Sequence, residues 1–177
     1  MRQFIFTMTL GVILATPHPS KVLAESLDDE ILLTFLGTGA PRPSHDRYGP
    51  SILVEAGDHK ILVDAGPGMR ERLFQAGGFE LITTVDKILI THLHFDHTIS
   101  TPGLWLTGWL FGRKEPMKVY GPPGTSEMMQ HFTAAYRWDV NYRTLVGVHK
   151  EGSELLATDI EPGVFFSKDG LEITAFS

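Results

Sequence analysis

The chain has 177 residues, a formal net charge of −6 and no cysteine. That length fits one domain, and 42% hydrophobic residues are enough for a substantial core. The lack of cysteine excludes disulfides, thiolate ligands and a cysteine nucleophile within these residues. The negative charge disfavours a nucleic-acid polyanion as the partner, unless a local basic patch overrides it.

Residues 1–24 have the pattern of a secretory signal. Arg2 gives a positive start, a mostly apolar run follows at 4–15, and a polar region ends at Val22-Leu23-Ala24. Small residues at its last and third-last positions predict cleavage after Ala24, and therefore a periplasmic or secreted protein. The run is too short for a membrane helix, so no stable membrane insertion is expected. A buried N-terminal strand or an uncleaved anchor, with a cytoplasmic location, is the alternative.

The rest of the chain, 25–177, is predicted to mix strands and helices as one α/β (α+β) domain. Short apolar or alternating runs predict strands at 30–35, 51–56, 60–63, 87–91, 117–120, 163–167 and 171–176. Apolar stripes predict helices at 69–76, 102–111 and 125–136, and Gly77-Gly78 is expected to end the first. Residues 138–160 show no clear period and indicate a strand or loop that crosses the surface.

A long loop at 37–50 separates the first two predicted strands. It is rich in turn residues and carries His45 and Arg47. Long loops in compact domains are more often functional than idle, so either side chain is a candidate for substrate contact. The alternative is that both are only solvated. Pro41 and Pro43 prevent a helix from starting there, so its Gly-x-Gly is not a dinucleotide-binding motif.

The strongest candidate site is His92-Leu93-His94-Phe95-Asp96-His97, which follows the fourth predicted strand. His92 and His94 are two residues apart, so on an extended backbone they leave from one face and can bind one metal ion. Asp96 and His97 follow where the strand ends. Imidazole nitrogen and carboxylate oxygen are ligands that zinc accepts. The pattern predicts these four side chains as metal ligands; a polar loop with histidines by chance is the alternative.

Asp64 ends the third predicted strand at a glycine-rich turn. It is expected either to hold that turn or to support the metal ligands, and a supporting role is favoured over direct ligation. The sequence ends in the middle of a strand pattern at Ser177, and two metal ions would need more ligands than this cluster offers. We therefore expect an N-terminal fragment, or a product without a complete site.

Several motifs together resemble a known family. The histidine cluster, preceded by Thr91, resembles the signature of the metallo-β-lactamase superfamily. The segments at 35–43, 62–66 and 119–125 resemble its ribonuclease Z branch and the exported, arylsulfatase-like relatives of that branch. The resemblance covers residues 31–177 and implies a four-layer αββα sandwich that is incomplete at its C-terminus.

The resemblance also implies a site and a reaction. His92 and His94 would bind the first of two zinc ions, Asp96 and His97 the second, and Asp96 would also take the proton from the attacking water. The remaining ligands would follow Ser177. The implied function is a zinc-dependent hydrolase in which metal-activated water attacks a phosphodiester or similar ester, of a small molecule or a nucleic acid. The alternatives are a ribonuclease Z, which cuts tRNA 3′ ends, or a truncated non-catalytic metal-binding fragment. A homodimer is compatible with this reading.

Overall fold

The computed structural model describes residues 5–10 and 30–176. In chain order its elements are β1 (Ile5–Leu10), β2 (Ile31–Gly37), β3 (Ser51–Ala56), β4 (His59–Val63), α1 (Met69–Thr84), β5 (Lys87–Leu89), α2 (Phe95–Thr98), α3 (Thr101–Leu110), β6 (Met117–Gly121), α4 (Thr125–Leu145), β7 (Leu155–Asp159), β8 (Gly163–Lys168) and β9 (Leu171–Phe176). The predicted strands all occur, with ends within two residues of those expected.

Two sheets organise the chain. The larger has the order β2-β3-β4-β5-β6-β7 and the smaller β1-β9-β8. In the larger sheet β2, β3 and β4 pair antiparallel, whereas β4, β5, β6 and β7 pair parallel. Parallel neighbours need a crossover connection, and α1 supplies the one between β4 and β5. The carboxyl ends of the four parallel strands therefore meet at one edge, where such sheets place their sites.

The central strands of the larger sheet, β3 to β6, are buried on both faces, and their successive side chains point alternately to the two. One face packs on α1, α3 and α4, through Leu53, Leu62, Ile88, Val119, Met69, Leu73, Trp105 and Met129. The other packs on the smaller sheet, through Val54, Ile61, Leu89, Leu171 and Ile173. The described residues thus form a helical layer and two sheet layers, which is the α/β class that the sequence predicts. No second helical layer occurs among these residues.

Two helices are longer than expected. Gly77 and Gly78 do leave helical backbone geometry, but α1 resumes after this kink and continues to Thr84. Its second part is retained because Leu81 and Ile82 are buried in the core. The predicted interruption at Gly77-Gly78 is thus present, whereas the helical segment that follows it to Thr84 was not predicted.

The second correction concerns residues 138–160. The reading of the whole segment as strand or loop was wrong, because α4 continues to Leu145, and only β7 within it is a strand. The last turns of α4 lack an apolar stripe facing the core: Trp138 is 73% exposed and Leu145 is 84% exposed. A helix without a buried face has no period for sequence reasoning to detect.

The predicted secretory segment lies largely outside the described residues. Within it, residues 5–10 form β1, which pairs antiparallel with β9 from Ile5 opposite Phe176 to Leu10 opposite Leu171. Cleavage after Ala24 remains a prediction, and it would remove this strand. Among the described residues, no helix is both long enough and apolar enough to span a bilayer.

Candidate metal centre

The histidine cluster lies at the carboxyl edge of the larger sheet. β5 ends at Leu89, two residues before its predicted end, and Ile90 still donates its backbone N–H to the Tyr120 carbonyl at 2.7 Å. His92 and His94 lie in the segment after β5, and the next element, α2, contains Asp96 and His97. The Ala65 N–H donates to the His97 carbonyl at 2.7 Å, which ties α2 to the turn after β4. Neighbouring strands thus fix the backbone under the cluster.

Asp64 is the organising residue beneath the histidines. It is buried, it has a positive φ of 61°, and its backbone N–H donates to the Leu89 carbonyl at 2.8 Å. Its carboxylate accepts from the Thr91 N–H at 2.8 Å and from the Thr91 hydroxyl at 2.8 Å, and it lies 2.7 Å from Nδ1 of His97. This is the geometry of a carboxylate that orients its neighbours, the supporting role favoured from the sequence.

Asp96 and His97 form one pair of candidate ligands. Because Asp64 occupies Nδ1 of His97, Nε2 is the ring nitrogen left for a metal. That Nε2 lies 3.7 Å from a carboxylate oxygen of Asp96, whose residue is only 3% exposed. A carboxylate buried this deeply needs a cationic partner, which a metal ion would provide.

His92 and His94 form the second pair. Nε2 of His92 lies 3.0 Å from Nδ1 of His94, and Nδ1 of His92 lies 3.0 Å from the Thr91 hydroxyl. The His92 and His97 rings are 4.0 Å apart at their centroids, so the two pairs adjoin. Burial, together with repulsion from His97 and His94, lowers the pKa of His92. A lowered pKa favours the neutral imidazole, which is the form that binds metal.

The donor chemistry fits zinc as two half-sites. One pair offers two imidazole nitrogens, and the other offers a carboxylate oxygen and an imidazole nitrogen. Within residues 5–10 and 30–176, however, no three His, Asp or Glu side chains converge on one metal position. Each ion would therefore need ligands besides these. The assignment of His92, His94, Asp96 and His97 as ligands remains a prediction.

The other histidines of the described chain have different surroundings. His45 is exposed in the 37–50 loop, and His59 is buried against the Phe166 ring. Nε2 of His131 lies 3.9 Å from Glu127 on exposed α4. His149 packs beside Trp109. No role was predicted for Thr91. Its position directly before His92 was the available signal, because a hydroxyl there can reach Asp64, the carboxylate that also contacts His97.

Comparison with known proteins agrees with this geometry. The family model described as "Anti-Pycsar protein Apyc1" matches residues 31–132. A ribonuclease Z of Mycobacterium sp. (strain KMS) is 42% identical over 115 residues, which are 64% of this chain and 40% of that protein. The chain thus spans two fifths of the length of this curated relative.

Two solved structures resemble the fold. The short form of human tRNase Z has a TM-score of 0.52 and 32% identity, and the match covers 60% of this chain and 39% of that one. The metallo-β-lactamase fold protein YhfI from Bacillus subtilis has a TM-score of 0.59 and 20% identity, covering 78% and 50%.

The sheets, the histidine cluster and these similarities define a metallo-β-lactamase-fold protein related to ribonuclease Z, as the sequence motifs predicted. Because the family match spans more than half of the chain, the chain belongs to the Anti-Pycsar protein Apyc1 family.

Proposed function

We propose that the chain acts as a zinc-dependent hydrolase on a phosphodiester or similar ester. The observation that carries this proposal is the adjacency of the His92–His94 and Asp96–His97 pairs above one buried carboxylate, Asp64. Membership in a hydrolase superfamily supports the reaction class. The metal dependence rests on the donor chemistry of the two pairs.

The residues of the chain have distinct tasks in this proposal. Zinc, when bound, would supply a water whose pKa is lowered to about 7 and would neutralise charge that develops on the ester oxygens. His92, His94, Asp96 and His97 would hold it. Asp64 fixes the His97 ring by its contact at Nδ1, and Thr91 joins Asp64 to His92. The buried Asp96 carboxylate is suited to orient the attacking water and accept its proton.

Two phosphodiester classes are the leading substrates. The Anti-Pycsar Apyc1 family match favours a cyclic nucleotide. The ribonuclease Z relatives favour a tRNA precursor, with the chain as an endonuclease. We rank the cyclic nucleotide first, because the net charge of −6 opposes broad contact with an RNA backbone. The third reading, a metal-binding chain without catalysis, is supported by the absence of a three-ligand group in the described residues.

The test combines metal content with hydrolysis. Elemental mass spectrometry of the purified chain gives zinc per protein, and cyclic mononucleotides, bis(p-nitrophenyl) phosphate and a tRNA precursor serve as substrates. Because each ion needs ligands besides these four, we expect bound zinc and EDTA-sensitive hydrolysis in a full-length protein that supplies them, with losses of at least about 100-fold there in His92→Ala and Asp96→Asn. His131→Ala, on the exposed face of α4, is the matched histidine control and should retain activity. Full activity in both site variants would refute the assignment, and bound zinc without hydrolysis would favour the non-catalytic reading.

A further inference from the structure

A cavity lies on the helical side of the edge strand β2, outside the candidate metal centre. Its volume is about 400 Å³, and its lining includes Phe35, Thr38, Arg47, Tyr48, Arg72 and Gln75. That volume is within the range of small-molecule sites. None of the four candidate metal ligands lines the cavity.

The cavity carries positive charge on an acidic protein. The Arg72 guanidinium lies over the Tyr48 ring, 4.7 Å from its centroid, and Nη1 donates to Gln75 at 3.1 Å. Nε of Arg72 is buried and has no hydrogen-bond acceptor among the described residues. The Arg47 side chain is exposed, and it forms no ion pair with the residues that the structure describes. Asp46 is the one carboxylate in the lining, so the local charge is positive.

One aromatic wall of the cavity, the Tyr48 ring, is preformed. Tyr48 is fixed by two contacts. Its carbonyl accepts a hydrogen bond from the Gly39 N–H at 2.7 Å, and its ring packs against Gly68, in the space that a side chain there would need. Gly68 has a φ of 81°, where glycine is favoured, so the close approach is built into the turn. A wall fixed in this way loses little entropy when a ligand binds.

We propose that this cavity binds a phosphate monoester, of the size of a nucleoside monophosphate, at a site distinct from the metal centre. Arg47 and Arg72 provide guanidinium donors for the phosphate. Asp46 accepts from a sugar hydroxyl or a ring amino group. This inference does not depend on hydrolysis, because none of these residues belongs to the metal centre.

The test is isothermal titration of the full chain with adenosine 5′-monophosphate, after EDTA has removed metal so that the metal centre cannot hold the phosphate. Saturable binding is expected, at least about tenfold tighter than that of adenosine, since the nucleoside lacks the charge-assisted hydrogen bonds. Arg72→Gln and Arg47→Gln should each weaken binding severalfold.

Arg70→Gln is the matched control, because Arg70 lies on the same helix but bonds to Glu71 at 2.7 Å and does not line the cavity. Thermal unfolding of each variant verifies that it is folded. Equal weakening by Arg70→Gln would mean diffuse electrostatic attraction and would overturn the proposal. So would equal affinity for adenosine, or binding that requires zinc. Since no turnover is measured, failure here leaves the proposed hydrolase function untouched.

Discussion

Asp64 connects the candidate metal ligands to the strand beneath them, because its carboxylate contacts both Thr91 and His97. It has a positive φ, which costs a residue with a Cβ about 1–3 kcal/mol when the surrounding structure must hold it there. The backbone is held by hydrogen bonds on both sides, from its own N–H to Leu89 and from the Ser51 hydroxyl to its carbonyl at 2.9 Å. In this backbone conformation the carboxylate contacts Thr91 and His97.

Replacing Asp64 with asparagine separates geometry from charge. Asparagine tolerates the same positive φ, but its amide group offers one acceptor where the carboxylate offers two. His97 would lose its partner at Nδ1 or adopt the wrong tautomer. We expect a fall of about 10–100-fold in zinc affinity or in metal-dependent hydrolysis, with the fold retained.

The control for Asp64→Asn is Asp169→Asn. Asp169 is the other non-glycine residue with positive φ in the described part of the chain, and it lies in the exposed β8–β9 turn. Zinc titration, hydrolysis rates and the imidazole nitrogen shifts of His97 are the measurements. Unchanged zinc affinity and activity in Asp64→Asn would contradict the supporting role.

The sequence was sufficient to propose the ligands and a supporting role for Asp64, but not the contacts that Asp64 makes. His92, His94, Asp96 and His97 are adjacent in the chain, so residue type and spacing alone identified them. Asp64 contacts Thr91 and His97 across 27 and 33 positions, and that contact exists only because β4 and β5 pair in parallel. The Arg72–Tyr48 contact could not be predicted either, because it joins α1 to the distant 37–50 loop.

At the scale of elements, α3 depends on a glycine for its packing. A Cβ at Gly108 would meet Nη1 of Arg113 at 2.5 Å and the Ile82 carbonyl at 2.8 Å. Arg113 is buried, and its Nη2 donates to the Trp105 carbonyl at 2.8 Å. Burial lowers the pKa of Arg113 to about 10, which still leaves it charged at neutral pH. The glycine therefore makes room for a buried cation between α1 and α3.

Gly108→Ala is expected to destabilise the protein by about 1–3 kcal/mol, because overpacking outweighs the better helix propensity of alanine. Gly103→Ala in the same helix is the control, since its Cβ would find only Arg70 Nη1 at 3.6 Å. That substitution should be neutral or stabilising by up to about 1 kcal/mol. Urea unfolding of both variants gives the comparison, and similar effects at the two glycines would contradict this account.

Element ends show where local sequence signals are overridden. The strands were predictable because short apolar or alternating runs are typical of strands with one or both faces buried. The last segments of α1 and α4 were not: after the predicted interruption at Gly77-Gly78 the chain returns to a helix, since Leu81 and Ile82 reach the core. The outer turns of α4 expose Trp138 and Tyr142, which stack on each other with an interplanar angle of 3°. No buried stripe marks that part of the helix.

At the scale of the whole molecule, we propose that residues 1–24 direct export. Fused to a reporter that is active only outside the cytoplasm, they should give active reporter, and Leu10→Arg should abolish the signal by placing a charge in the apolar run. N-terminal sequencing of the exported chain should begin at Glu25. An inactive reporter and an intact N-terminus would contradict export and leave β1 paired with β9 in the final protein.

The candidate metal centre is also compact along the chain. The contact between Asp64 and His97 closes 33 positions, and the strands that support it are complete by Gly121. Nearby segments of a chain find each other faster than distant ones. The four candidate ligands and Asp64 can therefore come together before β8 pairs with β9, so the arrangement of the ligands does not have to wait for the smaller sheet.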